Sequence, residues 1–173
     1  MYQTAPRETI LVTGTAGFIG MHVCQKFLDL VYAVVGIDNL NSYYDVALKN
    51  ARVDILTKRN GFRFERSEIA EAQAVKEVFA NSKPDYVLRP TAQTGVRYSI
   101  DHPQPYIDSN FQGFQNILEN YRHFGARHLF VDQGKKQKEQ MGSSSRALVE
   151  QRFDEKIVID EYLDRLAAGS VNI

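Results

Sequence analysis

Over the first 131 positions, short β-branched runs alternate with longer stretches whose apolar residues recur at helical spacing. Thr9-Ile-Leu-Val-Thr13 is the first such run and ends at a glycine cluster, as a buried parallel strand does. Phe18 to Leu30 follows with Phe18, Ile19, Val23, Phe27 and Leu28 at helical intervals. Ala33 to Ile37 is a second strand, and Asp45 to Thr57 a second helix carrying Val46, Leu48, Val53 and Leu56. Phe62-Arg-Phe64 predicts a third strand, and Ala72 to Ala80 a helix with Val75, Val78 and Phe79 on one face. Asp85 to Leu88 is a fourth strand, Tyr106 to Phe124 a long helix mildly broken at Gly113, and Arg127 to Val131 a fifth strand. Strands separated by helices of this length imply βαβ units, right-handed crossovers and a parallel sheet. The expected fold is α/β, a Rossmann-type doubly wound sheet truncated after about the fifth strand.

The pattern changes at Asp132. Residues 1–131 form the expected domain, 132–145 read as a polar linker, and 146–173 as a divergent tail. Leu148, Val149, Phe153, Ile157, Tyr162, Leu163 and Leu166 suit one amphipathic helix in that tail, although Ile157-Val-Ile159 could be a strand.

Composition narrows the classes. The 173 residues fit one domain, and 43% hydrophobic content is enough for a packed core. Lys+Arg and Asp+Glu are both 21, a zero balance that argues against a nucleic-acid binder. No apolar run reaches the ~20 residues needed to span a bilayer, and the polar start lacks the apolar core of a secretory signal. A cytoplasmic protein is therefore expected. Cys24 is the single cysteine and reads as a core residue, and His22, His102, His123 and His128 have no metal-ligand spacing. No metal site is expected.

The strongest chemistry follows the first strand, in Thr13-Gly-Thr-Ala-Gly-Phe-Ile-Gly20. Gly14 permits a tight turn, Gly17 lets backbone approach a pyrophosphate, and Gly20 lets the next helix pack closely on the sheet. Exposed N–H groups at the helix start, including those of Phe18 and Ile19, then favour phosphate oxygens. Asp38, at the end of the second strand, can accept both hydroxyls of an adenosine ribose and repel the extra phosphate of NADP. It could instead cap the turn through Asn39 and Asn41.

These segments, with Tyr43-Tyr-Asp-Val-Ala-Leu-Lys49, Ala92-Gln-Thr-Gly-Val-Arg-Tyr-Ser99 and Tyr106-Ile-Asp-Ser-Asn110, resemble the extended short-chain dehydrogenase/reductases that epimerise or dehydrate nucleotide sugars. The likeness is greatest to bacterial UDP-glucuronate 4-epimerases and covers roughly residues 8–131. It implies NAD as cofactor and a nucleotide sugar as substrate, with Asp38 and Asn39 on the ribose. Glu68, followed by Ile69, would stand where the family has an Asp facing the adenine amine. Ala92 and Gln93 would line the cofactor, Asn110 would support the nicotinamide side, and Arg97 would border the sugar pocket. A surface ion pair is the alternative for Arg97.

Two departures shape the functional expectation. The family's fourth strand ends in His-Leu-Ala-Ala, whereas this chain reads Arg89-Pro-Thr-Ala92, so Pro90 removes a backbone donor and Arg89 adds a charge. The family's catalytic Tyr-x-x-x-Lys is also missing, since none of the nine tyrosines has a lysine four places on. Neither a catalytic residue nor a substrate domain is identified. The expectation is the NAD-binding half of a 4-epimerase, without turnover alone. The alternatives are a half that works with a partner chain or as a homo-oligomer, and a non-catalytic interaction module using the tail.

Overall fold

A computed structural model describes residues 7–90, 100 and 102–131. The linker 132–145, the tail 146–173 and the expected site residues Ala92, Gln93 and Arg97 lie outside the described residues. Five strands, β1 (Thr9–Thr13), β2 (Ala33–Asp38), β3 (Phe62–Arg66), β4 (Tyr86–Arg89) and β5 (His128–Val131), form one sheet in the order β3-β2-β1-β4-β5. All four pairings are parallel, with Val12 opposite Gly36 on one side and Leu88 on the other. Helices α1 (Phe18–Asp29), α2 (Val46–Thr57) and α3 (Ala72–Ser82) follow the first three strands. Between β4 and β5 run α4 (Gln104–Ile107), a π-helical segment (Asp108–Gln112) and α5 (Gly113–Phe124).

Alternation along the central strands builds a core on each face of the sheet. Ile10 and Val12 join Val23, Cys24, Phe27, Leu56, Leu88 and Phe130 on one face. Leu11 joins Val35, Ile37, Val75, Val78, Phe79, Val87 and Ile117 on the other. The expected apolar face of α3 is therefore a core face. In α2 the pattern is corrected: Val46 and Leu48 are exposed, and the buried stripe is Lys49, Val53 and Leu56. Asp45 caps that helix, its Oδ1 accepting from the N–H of Ala47 at 2.8 Å.

The single long helix expected between β4 and β5 is likewise corrected. It begins at Gln104 and is interrupted by the π segment immediately before Gly113. A Cβ at Gly113 would stand 2.6 Å from Ile69 Cγ1, so the glycine serves close approach to the loop after β3.

At the opposite end of the sheet, Asp85 ties three strands together. Its Oδ2 accepts from the Thr9 N–H at 2.8 Å and its Oδ1 from Arg127 Nη2 at 2.8 Å, and Arg127 also reaches Glu8 at 2.6 Å. Burial pushes the Asp85 carboxyl up, but the Thr9 N–H and the Arg127 guanidinium outweigh it and hold the group below the usual carboxylate range. A depressed folded-state pKa adds stability above the ordinary carboxylate value, and this is lost as pH falls through the folded value. Thermal melts of the protein and of Asp85→Asn should therefore differ most at neutral pH and converge in acid. A gap that stays constant down to pH 2 would show that the carboxylate charge is not what stabilises the tie.

Candidate functional site

The strand order reverses direction between β1 and β4, and the crevice beyond the carboxyl ends of these strands is where open α/β sheets bind ligands. The glycine loop joins β1 to α1 at that point. Gly14 is left-handed, with φ 67°, which permits the turn. Gly17 is extended at the helix N-cap, and a Cβ there would meet the Gly14 carbonyl oxygen at 3.0 Å. A Cβ on Gly20 would overlap the Gly14 carbonyl and lie 2.8 Å from its carbon and 2.9 Å from Thr15 Cα. Gly20 thus lets the helix close on the loop at the carboxyl end of β1.

The loop amides are largely committed within the protein. The Thr15 N–H donates to the Ile37 carbonyl at 3.3 Å, Ala16 to Asp38 Oδ2 at 3.1 Å and Gly17 to the Gly14 carbonyl at 3.0 Å. Phe18 and Ile19 come next, and a helix offers its first N–H groups no carbonyl partner. The N-cap residue, Gly17, has no side chain with which to cap them, so these two amides stand at the positive end of α1 beside the loop. Phe18 is exposed there, whereas Ile19 is half-buried.

Asp38 makes two local contacts, one of them in the turn that follows it. Its Oδ2 braces the glycine loop through Ala16, and its Oδ1 accepts from the Leu40 N–H at 2.8 Å and so shapes the turn. A carboxylate has about four lone-pair sites, so these bonds leave capacity for ribose hydroxyls. Asn39 and Glu68 stand together, Nδ2 donating to Oε2 at 2.6 Å, while Asn39 Oδ1 accepts from the Asn41 N–H at 3.0 Å. Glu68 also accepts from the Ala70 N–H at 3.2 Å. The ends of β2 and β3 are thereby joined by the side chains expected at the ribose and adenine. Ile69 is set by α5, where buried Asn116 donates to the Ile69 and Ala70 carbonyls at 2.9 Å each. Asn110 lies in the π segment, a helical irregularity frequent at functional sites.

Sequence reasoning missed two cations on α2. Lys49 is buried, its Nζ donating to the Asn41 carbonyl at 3.0 Å and to Asn41 Oδ1 at 2.7 Å. Burial pulls its pKa down, Asp38 pulls it back up, and Arg52 pushes it down again. Arg52 Nη1 donates to the Ala16 carbonyl of the glycine loop at 3.1 Å. A signal was available: Lys49, Val53 and Leu56 share the i, i+4, i+7 spacing of one helix face, which puts a lysine inside an apolar stripe.

Arg89 replaces the expected small turn with a buried charge directed at the α5 side. Its Nη2 donates to the Ser109 carbonyl at 3.1 Å, its guanidinium lies 5.7 Å from the centre of the Phe114 ring, and its Nε has no hydrogen-bond partner. Burial lowers its pKa. Cys24 is inert: burial pushes its thiol well up, and a hydrogen bond with Thr15 offsets this only partly. Among the described residues, no group of three or more His, Cys, Asp or Glu could hold a metal ion, and no helix is long and apolar enough to cross a membrane.

Fold and cradle together define a Rossmann-type α/β protein of the short-chain dehydrogenase/reductase kind. Residues 11–146 match the family described as GDP-mannose 4,6 dehydratase, and the chain belongs to that family. It is 45% identical over 120 residues to the CapI protein of Staphylococcus aureus, covering 69% of this chain and 36% of that one. It is 43% identical over 121 residues to the UDP-glucuronate 4-epimerase of Thermodesulfobacterium geofontis, covering 70% and 38%. The crystal structure of the Bacillus cereus UDP-glucuronic acid 4-epimerase, in complex with UDP-glucuronic acid and NAD, matches at 36% identity. Its TM-score is 0.60, with 66% of this chain and 36% of that chain covered. The chain thus spans little more than a third of the length of these relatives.

Proposed function

We propose that this chain is the NAD-binding half of a nucleotide-sugar 4-epimerase of the UDP-glucuronate type, a cytoplasmic protein without turnover on its own. The observation that carries the reading is the glycine loop braced by Asp38 at the reversal of strand order. A Cβ at Gly17 or Gly20 would run into the Gly14 carbonyl, so the tight loop that offers its backbone to a pyrophosphate requires glycine at both positions. In that role the Phe18 and Ile19 amides bind the phosphates, Asp38 accepts the adenosine ribose hydroxyls, and Asn39, Glu68 and Ile69 frame the adenine. Ala92, Gln93 and Asn110 extend the site toward the nicotinamide, and Arg97 borders the sugar. When bound, NAD supplies a reversible hydride acceptor for the sugar C4.

Nothing in the 173 residues matches the family's tyrosine–lysine base. Proton transfer from the C4 hydroxyl therefore loses a contribution of roughly 10²–10⁴-fold. Calorimetric titration should show NAD binding, with NADP weaker because Asp38 repels its extra phosphate. Incubation with UDP-glucuronate and NAD, followed by chromatography of both uronates, should show no steady interconversion. Absence of NAD binding would end the cofactor reading, and turnover by the pure chain would show that another residue serves as base, with Tyr98 the first to mutate.

A further inference from the structure

Arg52 has no place in the expected cofactor site, yet it reaches from α2 to the backbone of the glycine loop. Its Nη1 donates to the Ala16 carbonyl at 3.1 Å, across 36 positions of sequence. The residue it holds is completely buried, and both of its backbone groups are engaged: Asp38 takes the N–H and Arg52 the C=O. The Ala16–Gly17 peptide is in turn fixed at its other end, where the Gly17 N–H donates to the Gly14 carbonyl at 3.0 Å.

We infer that Arg52 is a positioning residue of the pyrophosphate cradle, which keeps the Ala16 carbonyl turned toward α2 and away from the phosphates. This rests on the NAD-binding reading above. A carbonyl oxygen rotated into the cradle would set its negative end against a dianionic pyrophosphate and displace the amides of Phe18 and Ile19, the next two residues but one along the chain. Arg52 opposes that rotation with a charge-assisted hydrogen bond, which is stronger than a neutral one. The bond is half-buried, so water competes with it less than at the surface. Arg52 thus acts through the loop and needs no contact with the cofactor.

The test compares the starting protein with Arg52→Met and Arg52→Gln, using NAD and adenosine as ligands. Adenosine occupies the Asp38 end but carries no phosphate, so a misplaced loop leaves it untouched whereas a damaged fold does not. Arg52→Met should weaken NAD about tenfold or more, the scale of one hydrogen bond to a charged group, with adenosine affinity within about twofold. Arg52→Gln, which keeps a donor without the charge, should recover part of the loss. Hydrogen exchange reads the loop with no ligand: the Gly17 amide should exchange faster in both variants, more so in Arg52→Met. Unchanged NAD affinity, a parallel loss of adenosine, or unchanged Gly17 exchange would each overturn the inference. Failure of the starting protein to bind NAD would instead overturn the cofactor reading, and the exchange rates would still decide whether Arg52 holds the loop.

Discussion

Gly20→Ala should abolish detectable NAD binding, a loss of about hundredfold or more, and lower stability by about 3 kcal/mol. The added methyl would stand 2.8 Å from the Gly14 carbonyl carbon and 2.9 Å from Thr15 Cα. Both are backbone atoms, and no rotamer change relieves the overlap. Either α1 tilts away or the Gly14–Thr15 turn opens, and both movements spoil the cradle that the Phe18 and Ile19 amides face. Gly125→Ala is the control. That glycine has φ 68° but open space around its Cβ position, so the cost is backbone strain of about 1 kcal/mol, with NAD affinity unchanged. Calorimetry and thermal melts on both variants decide the matter. Gly20→Ala with native affinity would mean that the helix need not close on the loop for the cofactor to bind.

Asp38→Ala comes second in expected size and separates the two roles of that carboxylate. Its loss strips an ionised acceptor from the Ala16 and Leu40 amides, at 3.1 and 2.8 Å, and takes an opposing charge from the vicinity of buried Lys49. Hydrogen bonds to charged groups are worth about 1.5–3 kcal/mol each. On a half-buried residue the lower end of that range applies, so the melting temperature should fall clearly. If Asp38 also holds the ribose, NAD should weaken by about hundredfold and the preference over NADP should narrow, since the repelling charge is gone. A variant that melts earlier but keeps both the affinity and the preference would reduce Asp38 to a turn cap.

Much of this architecture was legible in local sequence. The five strands and the helices α1, α2, α3 and α5 were each legible as strand or helix from β-branched runs, helical spacing and the glycines between them. The apolar triplet Val75, Val78 and Phe79 is buried as its spacing required. The exceptions mark where a local pattern misleads. Val46 and Leu48 continue an apolar rhythm at the start of α2, yet they are exposed because the helix turns Lys49 inward to meet the Asn41 loop. The π segment was invisible because Asp108–Gln112 contains no proline or glycine to mark a break in an ordinary helix. In the fold, Gly113 lies against Ile69, and Arg89 takes up the Ser109 carbonyl.

By itself, then, the sequence determined the α/β class, the parallel sheet, the glycine-rich turn after β1 and the acidic residue that ends β2. Each of these is written within a few consecutive residues by steric and solvation preferences. Only the tertiary structure decided what the polar side chains do around that frame. Asp38 braces Ala16 from 22 positions away, Arg52 from 36, and Asn116 holds Ile69 across 47. Such partnerships carry no periodic signal. A hydrogen bond depends on distances and angles that exist only after the hydrophobic layers have brought β1, β2, α2 and α5 together, so these residues had no visible partners until the chain was folded.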